Sequence, residues 1–259
     1  MGSRKRGSFL EYTSLTDIGK LRSHNEDSVA VAKKDNGQLL ALVADGMGGH
    51  QAGDVASKLA KKVLLESWQS NDSLLSQEEA EDFLRTTVVK ANKHILDYAN
   101  EHTDCKGMGT TLVATICTDS FISFCHVGDS RIYLYEENEL TQLTKDHSLV
   151  GELVRRGEIS EQEAEVHPRK NVLMRALGTE PTIEIDTGVV AWNSGSLLVL
   201  CTDGLTNKLS AMDLSAIFND QEIPLEEAAR AMINEANNRG GEDNITVALV
   251  RHQKEVNAS

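Results

Sequence analysis

At 259 residues, 40% apolar and 25% charged, the chain has ordinary globular composition and enough length for one large core. Its formal net charge of −14 argues against a nucleic-acid binder, because phosphate backbones are gripped by basic surfaces. No stretch approaches the ~20 apolar residues of a membrane span. The basic start at residues 1–8 is followed by no apolar signal region, so a cytoplasmic protein with no membrane contact is expected. Cys105, Cys117, Cys125 and Cys201 show no CxxC spacing and read as small core residues in a reducing compartment.

In chain order, strand-like runs occupy 9–16, 28–33 and 38–44. A helix is predicted over 52–69, with Val55, Leu59, Val63 and Leu64 on one face. A second is predicted over 77–101, with Phe83, Val88, Ala91, Ile95 and Tyr98 in register, and Ser76 with Glu79 resembles a capping box at its start. Strands follow at 110–118, 121–127 and 131–136, and later at 183–190 and 196–201. The short turns within both groups predict antiparallel hairpins. Between the groups, residues 144–181 are polar and charged, with amphipathic pieces at 147–155 and 160–167. A connection this long in a compact domain is a lid or a surface excursion. A helix over 225–238, opened by Pro224, and a strand over 244–251 complete the pattern.

There is no linker and no internal repeat. We read residues 1–8 as a disordered basic arm, 9–251 as one domain and 252–259 as a tail. Strands in blocks, with helices between and after them, predict an α+β arrangement of two mostly antiparallel sheets flanked by helices. GxGxxG and Walker loops are missing, so nucleotide folds have no support.

Four of the apolar runs end or begin at an aspartate: Asp45, Asp129, Asp203 and Asp243. Glu26-Asp27 stands just before a fifth. If those strands share a core, their tips converge. Each pair of carboxylates about 5 Å apart then repels by roughly 3 kcal/mol at an effective dielectric near 20. Hard, oxygen-bound cations such as Mg²⁺ or Mn²⁺ are the natural remedy.

The segments Arg22-Ser-His-Asn-Glu26-Asp27, Asp45-Gly46-Met-Gly-Gly-His50, Gly128-Asp129-Ser130-Arg131, Thr202-Asp203-Gly204 and Gly241-Glu-Asp243-Asn244 occur in this order. Together they resemble the metal-dependent serine/threonine protein phosphatases of the PPM family, the PP2C type, in its bacterial branch. The resemblance spans roughly residues 12–250. It implies a four-layer α-β-β-α sandwich, and its flap would be the 144–181 excursion. It also implies two core Mn²⁺ or Mg²⁺ ions, with Asp45 bridging them. Asp203 and Asp243 would complete one ion; Glu26 and the Gly46 carbonyl would bind the other. Asp27 would orient bound water, Arg22 would grip the phosphoryl group, and Asp129 would share a third, weaker ion with Asp203. Eukaryotic relatives carry a histidine directly after the Asp-Gly pair. Met47 stands there in this chain, so His50 becomes the candidate general acid, against a bracing role for it or water as the acid. Ser130 and Arg131 are read as setting the turn and the strand start.

The reaction so implied is hydrolysis of phosphoserine and phosphothreonine on proteins, opposing a serine/threonine kinase, by a monomer. The alternatives are a phosphoesterase for small molecules and an inactive binding module. The complete carboxylate set counts against the latter. Lys145, Arg155, Arg156, Arg169 and Lys170 in the flap are candidates to recruit anionic phosphopeptides, or are simply solvated.

Overall fold

The computed structural model describes residues 10–49, 52–220 and 223–253. Its first sheet runs β1 (Leu10–Asp17), β11 (Ile245–His252), β10 (Leu197–Cys201), β7 (Arg131–Glu136), β8 (Glu139–Gln142). The second runs β2 (Asp27–Lys33), β3 (Leu39–Met47), β5 (Leu112–Cys117), β6 (Phe121–Val127), β9 (Asp186–Ala191), with β4 (Gly109–Thr110) paired to the end of β3. All these pairings are antiparallel.

The central strands are apolar on both faces because each sheet is covered twice. In β3, Leu40, Leu42 and Ala44 pack beneath α1 (Ala52–Gln69) and α2 (Gln77–Glu101), while Leu39, Ala41 and Val43 face the other sheet. In β10, Leu197, Val199 and Cys201 meet α6 (Ala211–Phe218) and α7 (Leu225–Asn238), while Leu198 and Leu200 fill the space between the sheets. Three apolar clusters thus mark the three interfaces of an α-β-β-α sandwich, the architecture expected from the sequence.

The three long helices occupy the predicted spans 52–69, 77–101 and 225–238. The capping box forms: the Glu79 amide donates to the Ser76 hydroxyl at 3.3 Å, and the Glu79 carboxylate accepts from the Ser76 amide at 2.9 Å. Such a cap contributes about 1 kcal/mol. The fold adds β8 and α6, which the hydrophobic pattern does not announce. β8 is a largely exposed edge strand, and α6 is a short helix capped by Ser210. β11 runs through His252, so the domain extends past the expected boundary at 251. The basic arm and residues 254–259 of the tail lie outside the described residues.

Two expected hairpins are sheet-to-sheet crossovers instead. β5 and β6 pair as a hairpin, but β7 joins the other sheet, and so does β10 after β9. Gly128 makes the first crossing, at φ +104°; a Cβ there would lie 2.6 Å from Thr111 Cγ2, so only glycine turns the chain at this point. At the second, Trp192 is buried between the sheets and its indole N–H donates to Thr118 O at 3.0 Å. The 144–181 excursion contains α3 (Leu149–Arg155) and α4 (Glu161–Glu165). It returns to the body where Leu177 bridges Thr110, the partner of Gly46. Among the described residues no helix is long and apolar enough to cross a membrane.

Candidate metal centre

The crossovers and strand ends deliver carboxylates from both sheets to one edge of the sandwich. Asp27 and Asp45 are directly opposite in the β2–β3 register. Asp45 is fixed through its backbone: its N–H donates to Thr111 Oγ1 at 3.0 Å, and its carbonyl accepts from the Thr111 amide at 2.8 Å and the Thr110 hydroxyl at 2.9 Å. The Thr111 hydroxyl also pairs with Ser130 Oγ at 2.7 Å, which ties Asp45 to the turn carrying Asp129. A Cβ on Gly46 would stand 2.0 Å from Gly53 O and 2.6 Å from Glu26 O, so the residue after Asp45 has to be glycine for β3 to meet α1 and Glu26.

The remaining acids are held by polar side chains. Asp27 Oδ2 accepts from the Thr202 hydroxyl at 2.9 Å, and Thr202 Oγ1 accepts from the Thr246 amide at 3.0 Å. Asp203 follows β10 at the start of α5 (Asp203–Thr206), and its Oδ2 accepts from the Asn207 side-chain Nδ2 at 3.0 Å. Buried Asn244 accepts from the Glu26 amide at 2.8 Å and donates to Ile18 O and His24 O. That amide therefore pins the Arg22–Glu26 loop beside Asp243. Arg22 stands at the half-exposed rim, ion-paired to Asp243 Oδ2 at 2.7 Å. The structure thus gathers Arg22, Glu26, Asp27, Asp45, Gly46, Asp129, Asp203 and Asp243. His50 lies outside the described residues.

Burial and mutual repulsion dominate the electrostatics of these carboxyls. Burial, followed by the charges of Asp27, Asp203, Asp129 and Asp243, pushes Asp45 well above the usual carboxylate range. Burial and Asp203 raise Asp129 to about 8, and burial raises Asp27 to about 7 against the opposing Thr246 and Thr202 hydrogen bonds. Asp203 and Glu26 are raised by burial as well. Glu26 Oε1, Asp27 Oδ1 and Asp203 Oδ1 are buried without a hydrogen-bond partner among the described residues. The nearby cation Arg131 is committed to Asp146, with contacts of 2.7, 3.0 and 3.2 Å, and so sets the turn as expected. An all-oxygen donor set with orphaned, mutually repelling carboxyls fits hard divalent cations.

Two expectations about the flap are refined. Arg155 and Arg156 both pair with Glu152, so their guanidinium groups are already occupied. Glu242 is held below the usual carboxylate range chiefly by its hydrogen bond from Lys208, with the Lys170 charge the smallest contribution. Sequence reasoning quoted Thr202 and Asn244 within its motifs without giving them a role, and did not single out Thr111. Thr202 and Asn244 directly flank Asp203 and Asp243, a signal that was available; Thr111 carries none.

The Protein phosphatase 2C family profile matches residues 20–247. The chain is 49% identical over 235 residues to the serine/threonine phosphatase stp of Listeria monocytogenes serovar 1/2a, covering 91% of this chain and 93% of that one. It superposes on a serine/threonine phosphatase of S. agalactiae with TM-score 0.89 at 40% identity, covering 95% and 100% of the two chains. It also superposes on the catalytic domain of the phosphatase PstP in complex with 2 manganese ions, with TM-score 0.83 at 33% identity, covering 95% and 99%. The chain belongs to the Protein phosphatase 2C family.

Proposed function

We propose that the chain hydrolyses phosphoserine and phosphothreonine on proteins with Mn²⁺ or Mg²⁺, opposing a serine/threonine kinase. One observation carries the reading. Carboxyls from both sheets meet at one edge, buried, raised in pKa and partly orphaned, an arrangement that divalent cations would relieve. The relatives named as serine/threonine phosphatases, and the two manganese ions in PstP, support it.

Asp45 would lie between two ions, with Asp203 and Asp243 on one, and Glu26 and the Gly46 carbonyl on the other. Asp129 would hold a third, weaker ion with Asp203. When bound, such ions supply Lewis acidity toward phosphoryl oxygens and acidify water at neutral pH. The chain's own groups do the rest. Asp27, held at Oδ2 by Thr202, keeps Oδ1 to accept a proton from water. Arg22 at the half-exposed rim is paired through Nη2 with Asp243; released from that pair, its planar fork would grip two phosphoryl oxygens and stabilise charge as it builds in the transition state. His50 as the acid that protonates the leaving alkoxide rests on its place in the sequence.

Phosphate release from a phosphothreonine peptide, measured with Mn²⁺, with Mg²⁺ and with EDTA, tests this. Release that requires metal is expected. A folded protein that releases nothing with either ion would remove the reading.

A further inference from the structure

The loop between α7 and β11 sets two acids side by side, and each is held by a cation. Asp243 takes Arg22 through Nη2 at 2.7 Å. Glu242, one residue earlier, takes Lys208, which follows α5. Glu242 also meets Arg22, because its carbonyl accepts from Arg22 Nε at 3.4 Å. Arg22 and Lys208 therefore stand within the span of a single residue.

The loop is shaped around this pair. Gly240 has φ +135°, and a Cβ on it would lie 2.5 Å from both Glu242 carboxylate oxygens. The Glu242 side chain thus folds back over bare backbone, which a side chain there would displace. Lys208 is anchored from behind. Its carbonyl accepts from Arg239 Nη1 at 3.0 Å, and Arg239 is itself fixed by Asp213 and Glu235. The partners differ in exposure: the Lys208 side chain is 20% exposed and that of Glu242 53%. The lysine is the fixed member and the acid the open one. An ion pair this open on one side is weakly held, so an incoming anion can replace the acid.

We infer that Lys208 is a second anion subsite beside Arg22, covered by Glu242 until a substrate brings an acidic side chain or a second phosphate one or two residues from the phosphorylated one. The inference rests on the phosphatase reading, with Arg22 gripping the phosphoryl group. Successive residues of an extended peptide advance by about 3.3–3.6 Å, so two cations set on one residue address neighbouring side chains of the substrate. A chain of net charge −14 repels anionic peptides over much of its surface, which makes a cation fixed at the rim count in selecting them.

Peptides carrying a non-hydrolysable phosphonate in place of phosphothreonine, flanked by Gln, by Glu or by a second phosphonate, are bound to the full chain in excess Mn²⁺ and followed by fluorescence anisotropy. Phosphothreonine peptides flanked by Gln or Glu are assayed in parallel for phosphate release. Wild type should bind the Glu-flanked peptide roughly five-fold more tightly than the Gln-flanked one. Whichever of Glu and the second phosphonate gains more identifies the anion the subsite prefers. Lys208→Gln should bring the ratio near one, and Glu242→Gln should raise it above wild type. The double variant should behave as Lys208→Gln does, which separates the subsite from a general change in charge. The inference is overturned if wild type does not discriminate, or if Lys208→Gln discriminates as wild type does. Should Lys208→Gln fail to fold, Glu242→Gln decides, and a ratio no higher than wild type overturns the inference. Discriminating binding without phosphate release would sink the phosphatase reading and leave the subsite standing; release without discrimination would sink the subsite alone. A wild type that neither binds nor cleaves these peptides overturns both.

Discussion

Raising the pH should destabilise the metal-free protein, against the usual trend for a fold held by ionised carboxylates. A carboxyl whose folded pKa exceeds its unfolded one keeps its proton in the fold while the unfolded chain sheds it. Stability then falls as pH climbs from the unfolded value and levels off at the folded one. Asp129 spans 3.8 to about 8 and Asp27 spans 3.8 to about 7, so both still act near neutrality. Below pH 6.5 an opposite contribution intrudes. Burial, His126 and Arg175 lower His147 from 6.5 to about 4, so it adds stability as pH rises to 6.5. Above 8 the buried thiols of Cys117, Cys125 and Cys201, raised from 9.0 to about 12, begin to contribute. The acidic cluster therefore dominates the window from pH 6.5 to 8, with His147 and His126, both lowered by burial, opposing it only at the acid end. Across it Asp129 and Asp27 together withdraw roughly 2–3 kcal/mol at about 1.4 kcal/mol per unit. For a domain of this size that is a fall in Tm of about 4–10 °C. Scanning calorimetry in EDTA at constant ionic strength, in half-unit steps, measures it. With excess Mn²⁺ the cluster is ionised in both states, the slope disappears and the Tm rises by mass action. A metal-free Tm that is flat or rising across the window, or a slope that Mn²⁺ leaves untouched, would refute the reasoning.

Replacing Asp45 or Asp203 by Ala should lower metal-dependent phosphate release by several orders of magnitude. The same change should leave the EDTA-treated protein melting no lower than wild type, since one repelling carboxyl is gone; near-full activity in either variant would break the metal reading. Arg22→Ala should cost about 10²-fold in kcat/KM, with Arg22→Lys recovering only part because an ammonium lacks the planar fork. Steady-state kinetics at saturating Mn²⁺ read this, and an unchanged kcat/KM would return Arg22 to a surface role. Gly46→Ala forces a methyl group to within 2.0 Å of Gly53 O, so it should destabilise by about 3 kcal/mol or more and lower the melting temperature in EDTA.

The legible parts of the fold were those with local signals. The Ser76 cap and Pro224 marked helix starts, and the full burial of Leu39 to Ala44 in β3 matched its unbroken apolar run. The crossovers were not legible, because a three-residue turn at Gly128–Ser130 has the length of a hairpin whichever sheet receives the next strand. What decides is that β6 and β7 are each apolar on both faces, so either sheet accepts them, and Gly128 sends the chain across. The edge strand β8 has almost no buried face to leave a pattern. At the site the acids were readable because each ends or opens an apolar run. Their supports act over distances no window spans: Asn244 reaches Glu26 across 218 positions, and Thr111 reaches Asp45 across 66.

The crossovers that sequence reasoning missed are also what build the centre. Had β6 and β7 formed a hairpin, Asp129 would lie at the rim of one sheet, far from the first-sheet acids that follow β10 and precede β11. Passing between sheets at Gly128 puts Asp129 against Asp203, whose charge raises its pKa, and lets Ser130 bond Thr111 beneath Asp45. The same architecture explains how the chain tolerates the arrangement. Three separate apolar clusters stabilise the layers from within, while the carboxyls oppose folding only at one edge. Repulsion confined to an edge loosens loops and strand tips before it loosens the core. The segments that cations should steady are therefore the Arg22–Glu26 loop pinned by Asn244, the Asp243 loop, and the Asp129 turn, where the Gly128 amide donates to His147 Nδ1.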